Sequence, residues 1–93
     1  MVDASQIRHD ADAGRFSVVV DGVEAELEYR RDDGTITILH TGVPSPIGGR
    51  GIAGDLVRAT LDWARAEDLK VVTACSYSQA WLEKHPEYGD LRA

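Results

Sequence analysis

The sequence predicts an α+β fold, in which an antiparallel meander feeds one strand-helix-strand crossover and the chain closes on a short C-terminal helix. Three observations carry this expectation. Val23, Ala25, Leu27 and Tyr29 alternate without exception with Glu24, Glu26, Glu28 and Arg30, which is the pattern of a strand with one face in a core and the other in water. Ile52, Leu56, Val57, Thr60, Leu61 and Ala64 recur at helical spacing. Between the β-branched run Thr35 to Thr41 and that helix lies Gly48-Gly49-Arg50-Gly51-Ile52-Ala53-Gly54, a glycine-rich strand-to-helix turn.

Taken in order, Gln6 to Asp10 reads as a short first strand and Ala11 to Gly14 as a turn. Arg15 to Val20 is the next strand. It ends at Asp21-Gly22, a strong hairpin signal because both positions of a tight hairpin turn need positive φ. Asp32-Asp33-Gly34 turns the alternating strand into Thr35 to Thr41, so three successive strands are expected as antiparallel neighbours. The helix from about Arg50 to Glu67 and the strand Leu69 to Ala74 then form a crossover, expected to be right-handed with its two strands roughly parallel. Asp55, Arg58, Asp62 and Arg65 sit at spacings that allow ion pairs within the helix. Trp63 widens the apolar stripe. Ser76 or Ser78 is expected to cap a short helix running to Lys84, which Pro86 ends.

The chain has 93 residues, the length of one domain spanning 1–93, and a chain of this size buries about 60 to 65% of the surface its unfolded form exposes. With 43% hydrophobic and 28% charged residues it reads as soluble and globular. Neither a basic leader with an apolar run nor a membrane-length apolar stretch is present, which points to the cytoplasm. A net charge of -6 argues against nucleic acid, which requires clustered Lys and Arg. It suits a cationic substrate such as an amine, and it equally suits solubility alone. The lone Cys75 excludes an internal disulfide, and His9, His40 and His85 are too widely separated for a metal site.

The glycine loop admits two readings. One is a tight connection; the other is a phosphate cradle, because glycine lets a ligand approach the backbone and the first helical turn offers unpaired amides to an anion. No Gly-Lys-Ser/Thr is present, and too little chain remains for a dinucleotide fold. The segment from Leu39 to Thr60 resembles the acetyl-CoA-binding core of the GNAT acetyltransferases, whose loop reads Arg/Gln-x-x-Gly-x-Gly/Ala. Gly51 and Ala53 fill its last two positions and Leu56-Val57 stands where the family has large apolar residues. Gly48 stands in place of Arg or Gln, with Arg50 nearby as an alternative positive charge. His40-Thr41-x-Val43-Pro44, the loop, Leu69-Lys70-Val71-Val72-x-x-Cys75 and His85-Pro86-Glu87-Tyr88, in that order, resemble the small GNAT-like proteins of this length. The resemblance covers most of the chain.

That resemblance implies a minimal GNAT-like fold without the usual acceptor-binding helices. It implies acetyl-CoA held by the backbone amides of Gly49 to Gly54, with Thr41, Val43, Gly48, Arg50, Ile52, Ala53 and Tyr77 completing the cofactor site. The acetyl group would lie between His40 and Cys75, and the acceptor would be an amine on a small molecule or protein, served by a monomer or weak dimer. Cys75, at a strand end before a helix, is either a small buried hydrophobe or a thiol favoured as thiolate by the helix terminus. The resemblance adds a candidate role in acyl transfer or cofactor contact. His40, expected on the apolar side of its strand with Ile36 and Ile38, is either a base near neutral pKa or a core histidine bonded to a carbonyl. Many family members carry a tyrosine general acid before a Glu-Lys pair, where this chain has Leu82, leaving Tyr77 or Cys75 as substitutes. Direct attack by the amine demands less of Cys75 than a covalent route does. The competing expectations are a CoA-binding module without catalysis and an antiparallel interaction domain with no nucleotide site.

Overall fold

Turn chemistry sets the sheet. Asp21 (φ 51°) with Gly22 (φ 75°) and Asp33 (φ 54°) with Gly34 reverse the chain at two hairpins; both residues of the first turn, and Asp33 in the second, take the left-handed backbone that matches strand twist. The computed structural model describes residues 2–93. Its strands are β1 (Arg8–Asp10), β2 (Arg15–Val20), β3 (Val23–Asp32), β4 (Thr35–Gly42) and β5 (Lys70–Thr73). They form one mixed sheet in sequence order. The first four are mutually antiparallel, and β5 runs parallel to β4, as the crossover requires. The predicted first strand is shorter than expected, because Ala4–Gln6 forms a 3₁₀ turn before it.

Helix α1 (Ile52–Ala66) supplies the crossover, and α2 (Ser76–Lys84) comes after β5. The inward positions of the sheet are Phe16, Val18, Ala25, Leu27, Tyr29, Ile36, Ile38 and Val71, and they meet Ile52, Leu56, Val57, Leu61 and Ala64 of α1. Burying each large side chain is worth about 1.5–3 kcal/mol. The other face of the sheet carries Arg15, Val19, Glu24, Glu28, Arg30, His40 and Val72, so the alternation read from β3 extends across the sheet.

The polar face of α1 does not pair with itself as the spacing suggested. Asp62 accepts a hydrogen bond from the Tyr88 hydroxyl at 2.7 Å. Arg65 grips Asp90 through two nitrogens at 2.7 and 3.0 Å. Asp55 accepts the Val2 amide at 3.0 Å. These partners lie on segments distant in sequence, and tertiary pairing wins because it also fixes the 3₁₀ segment Pro86–Leu91 over the buried Tyr88 and Leu91. His85 stacks on Trp81 with ring centroids 3.6 Å apart, so the His85-Pro86-Glu87-Tyr88 motif serves as a strap.

His9 has a similar structural role at the other edge. Its ring stacks on Phe16 at 3.9 Å, stands edge-on to Trp63 at 4.5 Å and shares a 2.6 Å hydrogen bond with the Tyr29 hydroxyl. Burial lowers its pKa below 6.5, with Asp10 opposing that shift.

Two outcomes are expected. Leu56→Ala or Leu61→Ala should cost about 2–5 kcal/mol in denaturant melts; less than about 1 kcal/mol for both would mean that this face of α1 is not the core. Because the folded state holds His9 neutral, stability is fully present above the unfolded value of about 6.5 and is lost as pH falls through the lower folded value. Urea melts between pH 8 and 5.5 should show that loss, and His9→Phe, which keeps the stack, should flatten it.

Candidate functional site

The site begins where β4 and β5 part. Their pairing runs from Thr35↔Lys70 to Ile38↔Thr73 and ends with the Ala74 amide donating to the Ile38 carbonyl at 3.0 Å. Beyond that point β4 continues to Gly42 on β3 alone, because the segment after β5 turns at Cys75 into α2. In the β3–β4 ladder Glu28 faces His40 and Tyr29 faces Ile38, so Leu39 is a bulge. A bulge inserts one residue and exchanges the faces of the residues beyond it. Beyond the bulge, alternation turns the backbone groups of Thr41 and Val43 toward the edge that β5 has left, where among the described residues no strand pairs with them.

The bulge corrects the expectation for His40. It faces Glu28 on the open side of the sheet and is exposed, opposite the buried Ile36 and Ile38. Its Nε2 overhangs Gly42, 2.8 Å from where a Cβ would stand. Thr41, opposite the buried Leu27, takes the inward side instead, and its hydroxyl lies 3.7 Å from the Cys75 sulfur. The residue that the structure brings to Cys75 is therefore Thr41, while His40 lies on the other face.

Two buried anchors hold the glycine loop, Ile47 before it and Ile52 after it, so Gly48 to Gly51 hang exposed between them. Gly49 (φ 75°) and Gly51 (φ 77°) adopt left-handed backbone, which glycine takes without a Cβ penalty, and a Cβ at either would meet nothing within 4 Å. Gly51 is the N-cap of α1, and the first helical bond runs from the Asp55 amide to the Gly51 carbonyl at 3.1 Å. Among the described residues no acceptor meets the amides of Gly49, Arg50, Gly51, Ile52, Ala53 or Gly54. Gly54 has a further constraint. A Cβ there would lie 3.1 Å from Trp81 Nε1 and 3.4 Å from the Tyr77 hydroxyl, so its bareness lets α2 close on the first turn of α1 and brings Tyr77 beside the loop. Arg50 extends away to the β2–β3 hairpin, where its Nη1 pairs with Asp21 at 2.7 Å.

Cys75 itself is the N-cap of α2, the place expected for Ser76 or Ser78. The Ser78 hydroxyl instead donates to the Cys75 carbonyl at 2.9 Å. Burial pushes the Cys75 thiol up, but the Ser78 amide, the Thr41 and Ser78 hydroxyls and the Tyr77 amide favour the thiolate and together outweigh it, leaving the pKa below the ordinary thiol value. Tyr77 moves the other way. Burial, then Asp55 and Cys75, raise its phenol, which keeps it a protonated donor at neutral pH.

Sequence reasoning missed the bulge, although Ile38-Leu39 breaks the alternation there and signals it. No sequence signal pairs Asp21 with Arg50. A concavity of about 790 Å³ lies over β1 and β2, lined by Arg8, Asp10, Arg15, Ser17 and Glu24 among others. It includes none of the convergent donors, so the parted strands and the glycine loop remain the candidate site.

The fold that carries this arrangement is shared with known proteins. The chain belongs to the GCN5-related N-acetyltransferase family, whose model matches residues 15–91. Among its relatives, Protein NATD1 of Xenopus tropicalis is 36% identical over 84 residues, 87% of this chain and 77% of that protein. The human Protein NATD1 is 37% identical over 84 residues, covering 87% and 74%. A GCN5-like protein of Staphylococcus aureus, solved by NMR, has the same α+β fold, with a TM-score of 0.76 at 32% identity over 99% of this chain and 91% of its own. Among the described residues no helix is long and apolar enough to cross a membrane.

The environment of Cys75 predicts a reactivity profile. Alkylation by iodoacetamide followed against pH should give a midpoint below that of an ordinary cysteine, and Thr41→Val should move it up by removing a donor to the thiolate. A native midpoint at or above the ordinary value would show that burial dominates.

Proposed function

We propose that this chain, as one domain, is an acetyl-CoA-dependent N-acetyltransferase acting on an amine. The observation that carries the reading is the convergence of unpaired backbone donors, the amides of Gly49 to Gly54 and the free edge of β4 from Thr41 to Val43, at the point where the sheet parts beside Cys75. Successive amides at a helix N-terminus suit a pyrophosphate, and a strand edge suits an arm that carries amide groups of its own. Family membership adds weight, because acetyl-CoA is the usual donor there. When bound, acetyl-CoA supplies the acetyl group as an activated thioester.

The residues divide the remaining work. Gly48 and Gly49 keep the approach to the loop clear, Arg50 adds positive charge, Ile52 anchors the loop from inside, and Ala53 and Gly54 present amides. Thr41 and Val43 orient the arm along β4. His40, on the open face, takes a proton from the acceptor amine at an imidazole nitrogen. Tyr77, held protonated, and Cys75 are the donors on the inner side. The placement of His40 away from Cys75 supports direct attack by the amine, since no base contacts the thiol to activate it as a nucleophile. The same separation favours a second reading, a CoA-binding module without turnover.

Calorimetry and thioester turnover decide between these readings. Native protein should bind CoA. Ala53→Asp should weaken binding at least tenfold by setting a carboxylate at the phosphates, yet leave the fold intact because an acidic residue in the first turn suits the helix dipole. With acetyl-CoA and a panel of amines, Cys75→Ala should retain transfer and His40→Ala should lose it most where a neutral imidazole acts. Binding with no turnover under any condition would leave the module; no binding at millimolar CoA would remove both readings.

A further inference from the structure

The ion pair between Arg50 and Asp21 is the feature of this site that its chemistry leaves unexplained. Arg50 is the one cation within the glycine loop, flanked by amides that lack acceptors. Its guanidinium is nonetheless engaged elsewhere, at 2.7 Å from Asp21 Oδ2 and 3.4 Å from the Pro46 carbonyl. Asp21 sits at the tip of the β2–β3 hairpin in left-handed backbone with φ 51°. β2 and β4 are each antiparallel to β3, so that tip rises at the same end of the sheet as the parted strands.

We infer that Asp21 is an affinity-setting residue that competes with the ligand's phosphates for Arg50, so that the hairpin tip works as a latch on the glycine loop. This rests on the proposed nucleotide site. Both side chains reach water, at 44% and 69% exposure, where such a pair contributes little and exchanges readily. A phosphate offers the guanidinium two oxygens and more charge than a single carboxylate. Arg50 therefore transfers from Asp21 to the phosphate when ligand arrives, and the broken pair is subtracted from the affinity. Without ligand, the latch keeps the loop's cation neutralised and holds Gly49 to Gly51 close to the hairpin.

Asp21→Asn isolates the effect, because Asn-Gly is at least as good a hairpin turn as Asp-Gly and the substitution removes only the charge. CoA titrated into native protein, Asp21→Asn, Arg50→Gln and the double variant makes a thermodynamic cycle. Asp21→Asn should bind about two- to fivefold tighter, the scale of an exposed ion pair, with an unchanged melting temperature. Arg50→Gln should bind more weakly, and in the double variant the gain from Asp21→Asn should vanish. Unchanged or weaker binding by Asp21→Asn, while native protein binds, overturns the latch and makes Asp21 neutral or a support for Arg50. A gain that persists without Arg50 overturns it in favour of through-space repulsion. Failure of every variant to bind CoA overturns the nucleotide site, and the latch with it.

Discussion

The structure turns on the fact that β4 is longer than the strand beside it. Through Ile38 its backbone is bonded on both sides; beyond the Leu39 bulge only β3 holds it. A strand edge left bare in the middle of a sheet forfeits hydrogen bonds and invites stray pairing, so the parting needs a cause. It lies in α2. Trp81 and Leu82 are buried, and seating them turns the chain away at Cys75 before β5 can run further along β4. Gly54 favours that docking, because a Cβ there would lie 3.1 Å from Trp81 Nε1 and the indole would have to give by a few tenths of an ångström. The bare position in α1 thus favours the close approach of the second helix, and the turn into that helix ends the pairing of β5 with β4.

Much of this architecture is legible from residue pattern. The strict alternation of Val23 to Arg30, the two Asp-Gly turns and the helical repeat from Ile52 to Ala64 each state a local preference that the tertiary fold agrees with, the consistency expected of a foldable chain. The candidate loop is legible for the same reason, since glycine at Gly49 and Gly51 answers a backbone need visible in sequence. A strict period of two, carried through the bulge, puts His40 on the wrong face. The partners of Asp55, Asp62 and Arg65 escape a reading of the sequence because intrahelical spacing is visible there, whereas a strap arriving from residues 86–91 is known only once the chain has folded.

The inward and outward faces of β4 divide the chemistry. Thr41 and Cys75 share the inner side, where hydrogen bonding from Thr41, Ser78 and Tyr77 carries the thiol toward its ionised form against the cost of burial. His40 and Gly42 share the outer side with Glu28 and Glu26 of β3. A thiol and an imidazole that belong to opposite faces do not form a nucleophile and its base.

This division bears on why the chain manages without additional helices. Among the described residues no helix covers the outer face of the sheet, where Val19 and Val72 remain exposed and His40 is open to solvent. The inner side, by contrast, is covered by α1 and α2. Under the proposed reading, a ligand held by amides at the loop and an acceptor arriving over the bare sheet would meet across a single strand, and the bulge at Leu39 turns the His40 imidazole to that outer face. Had β4 kept its regular pleat, His40 would point inward beside Ile38, where an ionisable ring would need a buried partner.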